Sequence, residues 1–138
     1  MELIKRKVEL LVSKYDTNCP FKLAKLLGIK VEFEYLGKIL GYYNKNFRCQ
    51  LIHLNENTEE HKQFFVCSHE LGHAILHPDE NTPFLKKHTL FSTSKIETEA
   101  NNFALELIFS KNDCITIEDA INKYGVPKQL ALLKSLGR

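Results

Sequence analysis

Leu3, Ile4, Val8, Leu11, Val12 and Tyr15 recur at helical spacing, with Lys5, Arg6, Lys7, Glu9 and Lys14 falling mostly between them. The chain therefore opens on an amphipathic helix whose apolar stripe faces a core. Residues 16–20 form a turn that can cap a short second helix over 21–27, ended by Gly28. The period then changes from 3.6 to 2. Ile29, Val31, Phe33 and Tyr35 alternate with Lys30, Glu32 and Glu34, a strand with one buried face. Gly37 turns the chain, and 38–43 and 47–54 read as two more strands around a turn at 44–46. Hairpin pairing of these segments predicts a small three-stranded antiparallel sheet. Such a sheet could offer an edge to an extended peptide beside the following helix, or could simply cover that helix.

Asn57 and Glu60 are placed to cap a long helix in capping-box fashion. Phe64, Phe65, Val66, Leu71, Ala74, Ile75 and Leu76 carry it to His77, and Pro78 stops it. At about 1.5 Å per residue the helix is near 30 Å long. Residues 79–94 form a long polar connection holding Pro83 and His88, the kind of segment that serves as a lid or mobile loop. A further helix follows from Lys95. The chain closes on a helix, a glycine turn at Gly125 and a last helix to 136. That outline resembles a helix-turn-helix, but Leu130, Ala131, Leu132 and Leu133 make the second helix apolar just where a reading helix needs polar side chains, so packing is expected and direct DNA binding is not.

At 138 residues the chain is long enough for one domain with its own core. It divides into N-terminal helices and sheet (1–56), the helices of a candidate site (57–109) and a C-terminal helical segment (110–138). The fold class is α+β. A net charge of +2, without a basic block, places no demand for nucleic acid or anionic membrane. Cys19, Cys49, Cys67 and Cys114 form no C-x-x-C pair and read as reduced thiols. The first 15 residues lack the continuous apolar segment of a signal peptide, and no run approaches a membrane span, so a cytoplasmic protein is expected.

The chemistry is concentrated in Ser68-His69-Glu70-Leu71-Gly72-His73. On a helix, residues four apart share a face, so the imidazoles of His69 and His73 can converge on one ion, and zinc suits neutral imidazole. Glu70 stands beside that ion, where a carboxylate can take a proton from water. His77 continues the spacing but lies about 12 Å along the axis from His69, too far to share the ion with both histidines, and is given a structural or ligand-orienting role.

Catalytic zinc sites usually have three protein ligands. Two downstream glutamates compete for the third place. Glu97 shares a helix face with Ala100, Asn101, Ala104 and Ile108, which permits close approach of another helix; Glu99 shares one with Asn102, Phe103 and Glu106, a more exposed mixture. Glu97 is the better ligand, Glu99 the alternative, and Asn101 could hold a ligand in orientation. Tyr42, Tyr43, His53 and His88 are unranked candidates for stabilising charge in a transition state.

Taken together, 64–77 (Phe-Phe-Val-Cys-Ser-His-Glu-Leu-Gly-His-Ala-Ile-Leu-His) and 97–108 (Glu-Thr-Glu-Ala-Asn-Asn-Phe-Ala-Leu-Glu-Leu-Ile) resemble the ImmA/IrrE family of zinc metallopeptidases. Leu26-Leu27-Gly28-Ile29, Gly41-Tyr42-Tyr43 and 51–55 extend the likeness along most of the chain. The resemblance implies a zincin-like domain with His69, His73 and Glu97 on Zn2+ and Glu70 as base. It also implies selective cleavage of a regulatory protein, such as the helix-turn-helix repressor of a phage or mobile element. Cys67-Ser68 and Phe109-Ser110 depart from the commoner family residues without touching a ligand position. The rival expectation is a non-catalytic anti-repressor with a structural or vestigial zinc site, against which the intact Glu70 argues.

Overall fold

The computed structural model describes residues 1–110 and 116–136; Cys114 lies outside them. The described elements are α1 (Glu2–Tyr15), α2 (Pro20–Leu26), β1 (Lys30–Glu34), β2 (Gly41–Asn46), β3 (Cys49–Asn55), α3 (Glu60–Leu76), a 3-10 turn (His88–Phe91), α4 (Lys95–Phe109), α5 (Ile117–Tyr124) and α6 (Lys128–Leu136). The class is α+β, as the pattern predicts.

The sheet is mixed rather than antiparallel. Its order is β1-β3-β2. β2 and β3 form the expected hairpin, Gly41 opposite Leu54 and Asn46 opposite Cys49, while β1 runs parallel to β3 from Lys30 opposite Leu51 to Glu34 opposite Asn55. The turn sits at Phe47 and Arg48, three residues later than expected, with Phe47 at φ 59°. The parallel pairing follows from the connection. Residues 35–40 carry the chain past the end of β3, and the Asn55 side-chain amide donates to the carbonyls of Gly37 (2.9 Å) and Ile39 (3.0 Å), fastening that loop. β1 is thus an edge strand, and its Phe33 is half exposed against Phe21 rather than buried. The Gly41 end of the other edge, β2, is already bridged by Leu85.

Central to everything else is α3. Phe65 through Ala74 are all buried, as expected of a helix surrounded on every side. The helix begins at Glu60 with Glu59 at the cap position and no side-chain cap; Asn57 stands two residues before that position, its backbone N–H donating to the Asn55 side chain. Its 17 residues span about 25 Å. One core cluster joins α1, α2 and the sheet to α3 through Val8, Leu23, Ile52, Leu54, Leu71 and Phe103; a second joins Phe65 and Ile108 to Ala120, Val126 and Ala131. The closing helices are therefore packed onto α3 and α4. Gly125, at φ 69°, seals that contact, because a Cβ there would lie 2.4 Å from the backbone of His61 and Lys62.

α3 packs most extensively against α4, and Gly72 sets how close they come. A Cβ at Gly72 would stand 3.1 Å from Cβ of Phe103. Phe103, assigned from sequence to the more exposed face of α4, is fully buried by this contact. Replacing Gly72 by valine should force the helices apart and cost about 1–3 kcal/mol. A fall in the melting temperature together with weaker metal uptake is the expected result; a variant as stable as the parent would show that the close approach is dispensable.

Candidate metal centre

The face of α3 turned to α4 carries His69, Glu70 and His73, each with no solvent exposure. Among the described residues they are the group of histidines and carboxylates whose ligand atoms all lie within 4.8 Å of one another. α4 supplies Glu97. The Ser94 side chain caps that helix by accepting from the Glu97 N–H. In a capping box the N3 glutamate would turn back towards the cap, but the Glu97 carboxylate reaches across to α3. Its Oε1 and Oε2 lie 3.1 and 3.2 Å from His73 Nε2, and Oε2 lies 3.3 Å from His69 Nε2.

Donors about 2.0–2.2 Å from a tetrahedral zinc ion stand about 3.3–3.6 Å from one another. The separations of Glu97 from the two rings, 3.1–3.3 Å, fall at or just under that size, and two imidazoles with one carboxylate are a donor set that zinc accepts. Glu70 differs from Glu97. Both its carboxylate oxygens are buried without a hydrogen-bond partner, as is His69 Nε2, and buried polar atoms without partners are costly. An ion between the rings would satisfy the imidazole nitrogen, and a water or substrate group would satisfy Glu70.

The other ring nitrogens are held in turn. His69 Nδ1 lies 2.8 Å from Asn101 Oδ1, and the Asn101 amide donates to the Leu90 carbonyl at 2.8 Å, which fixes which end of the amide faces His69. His73 Nδ1 lies 3.0 Å from Nδ1 of His77, whose Nε2 lies 2.7 Å from Glu99. Glu99 therefore meets His77 and not the His69–His73 pair. Sequence reasoning separated Glu97 from Glu99 but saw no partner for Glu99; the signal was available in the spacing of two residues that must point to different sides of α4.

Tyr42, Tyr43, His53 and His88 are not brought together with this cluster. Tyr43 is buried on the core face of β2, with its hydroxyl donating to the Pro78 carbonyl at 2.6 Å and accepting from Gln50, so it ties down the exit from α3. Tyr42 is on the opposite sheet face, stacked at 4.2 Å on His53, which binds Glu34 and Asn44. His88 is exposed on the 3-10 turn, in a groove with Lys38 and Asn57.

Burial governs the electrostatics. It lifts the Glu70 carboxyl from 4.5 to about 8, with the proximity of His69 pulling down and that of Glu97 pushing up. Burial also pushes Glu97 up, but the His69 and His73 rings against it reverse this and hold it at about 2. His69 is lowered by burial yet ends raised through Glu97 and Glu70, whereas His73 ends lowered, burial prevailing. Burial raises the Cys67 thiol well above its usual range, which leaves it protonated and unsuited to attack or ligation.

The profile of the IrrE N-terminal-like domain, a peptidase family, matches residues 24–132. An uncharacterized immunity region protein of Bacillus phage phi105 is 44% identical over 142 residues, covering 97% of this chain and 90% of its own. The metallopeptidase ImmA of Bacillus subtilis is 35% identical over 109 residues, covering 78% of this chain and 63% of its own. Among the described residues no helix is long and apolar enough to cross a membrane.

The raised Glu70 value carries a stability consequence for the metal-free protein. A carboxyl whose folded pKa lies above its unfolded one contributes stability that is complete below about pH 4.5 and is lost as the pH climbs towards 8. Melting temperatures of metal-free protein should therefore fall more steeply from pH 5 to 8.5 in the parent than in Glu70→Gln. Parallel curves would mean that Glu70 ionises without penalty.

Proposed function

The chain belongs to the ImmA/IrrE family of metallopeptidases, and on that premise we propose that it is a zinc-dependent endopeptidase that cleaves a regulatory protein. The observation that carries this reading is the convergence of His69 Nε2, His73 Nε2 and the Glu97 carboxylate beside a buried, unpartnered Glu70. His69, His73 and Glu97 would hold the metal. Glu70 is the less suitable ligand, because Glu97 already lies against both ring nitrogens while Glu70 bonds neither.

Bound by these groups, zinc supplies a Lewis acid that polarises a peptide carbonyl and makes water acidic near neutral pH. Glu70 takes the proton of the attacking water and delivers it to the departing amine nitrogen. Asn101 holds His69 so that its Nε2 lone pair points inward. The low exposure of all four groups keeps bulk water away from the site.

The phage relative named for an immunity region supports a substrate among the repressors of a phage or mobile element, met in the cytoplasm. Purified protein incubated with a repressor encoded next to it should yield discrete fragments, and a chelator should stop their formation. His69→Ala should lose zinc. Glu70→Gln should keep zinc at parental stoichiometry and cleave about 100-fold more slowly or worse. If Glu70→Gln relieves repression in cells as well as the parent does, the protein acts as a binding anti-repressor instead.

A further inference from the structure

We propose that His77 and Glu99 are a positioning relay that sets the tautomer of His73 and thereby readies it for metal. The inference rests on the metal reading above and adds to it two residues that do not themselves touch the ion.

The polarity of the chain of contacts is fixed from its outer end. An ionised carboxylate only accepts hydrogen bonds, so the 2.7 Å contact between His77 Nε2 and Glu99 Oε1 requires the hydrogen on His77 Nε2. A neutral His77 then has its lone pair on Nδ1. The two Nδ1 atoms of His73 and His77 face each other at 3.0 Å, a contact that admits one hydrogen, which must sit on His73. That leaves the His73 lone pair on Nε2, the atom aimed at Glu97 and at His69's side of the cluster. The opposite polarity would put a hydrogen on His73 Nε2 and block ligation.

The arrangement is specific in its placement. His77 is the residue that ends α3, four after His73, and Pro78 beyond it is fastened by Tyr43. The ring is therefore held at its backbone and at both nitrogens. Glu99 is two residues after Glu97 on α4, so one helix end delivers a carboxylate to the cluster and another to the relay. The Glu99 side chain is 28% exposed, against 7% for His77, so water can replace part of what Glu99 does but little of what His77 does.

The test is zinc affinity, read by competition with a chromophoric chelator, with the cobalt-substituted protein's absorption spectrum and the ring-nitrogen shifts of His73 as independent readouts. His77→Leu should weaken zinc binding about 10- to 100-fold and shift His73 away from a pure Nδ1–H tautomer in the metal-free protein. His77→Gln, whose amide can accept from His73 and donate to Glu99, should recover most of the affinity. Glu99→Leu should weaken binding less than His77→Leu, and in the His77→Leu background it should add nothing, because Glu99 acts through His77. Melting of the metal-free variants separates a folding defect from a binding defect, and should His77→Leu fail to fold, His77→Gln against Glu99→Leu still decides the matter. Parental affinity in His77→Leu, or additive losses in the double variant, would overturn the relay while leaving the metal reading intact. A parent protein that binds no zinc would overturn both.

Discussion

A carboxylate held between two imidazoles, out of reach of water, is the constraint around which this protein is arranged. Glu97 stands 3.1–3.3 Å from the Nε2 atoms of His69 and His73, and ionisable groups so placed are tolerated only with partners. The partners come from different elements: α3 gives the imidazoles, α4 the carboxylate and Asn101, and the end of α3 gives His77. If α3 and α4 separate, His69 and His73 lose Glu97, His69 loses Asn101 and His77 loses Glu99, leaving His73 only the His77 of its own helix. The closeness of the two helices at Gly72 and Phe103 is accordingly a property of the site as much as of the core.

The surrounding structure supports that closeness. The sheet covers α3 on one side through Ile52 and Leu54, and α5 covers it on another, with α6 packed on α5 and α4 and with Ala120, Val126 and Ala131 in one apolar cluster with Phe65. Tyr43 and Gln50 hold the chain where it leaves α3, Gln50 reaching the Ala74 carbonyl at 2.8 Å. The segment between α3 and α4 contributes by its backbone, with Leu85 bridging Gly41 and the Leu90 carbonyl holding Asn101. A stretch that reads as a polar connection thus orients one of the two imidazoles.

What could be read beforehand was whatever depended on local periodicity. The His69–His73 spacing puts both rings on one face of a helix, and the small residues after Glu97 mark the face of α4 that approaches it; both follow from 3.6 residues per turn. The sheet was misread because the hairpin rule sees only neighbouring segments, while the parallel pairing of β1 with β3 depends on Asn55 gripping a loop some sixteen residues earlier in the chain. Asn57, a good cap residue by type, does not cap α3 because the helix starts at Glu60 and puts Glu59 at the cap position. Glu99 was weighed as a ligand because carboxylate type and spacing do not reveal which neighbour a side chain will find; His77 claims it.

The central claim is that His69, His73 and Glu97 share one metal ion while Glu70 stays free beside it. Crystals of the zinc-loaded protein, with data collected on either side of the zinc absorption edge, test this most directly. The account predicts one anomalous peak within about 2.0–2.2 Å of both Nε2 atoms and of a Glu97 oxygen, with the Glu70 carboxylate outside bonding distance. A peak bonded to Glu70 in place of Glu97, or located away from α3, would contradict it.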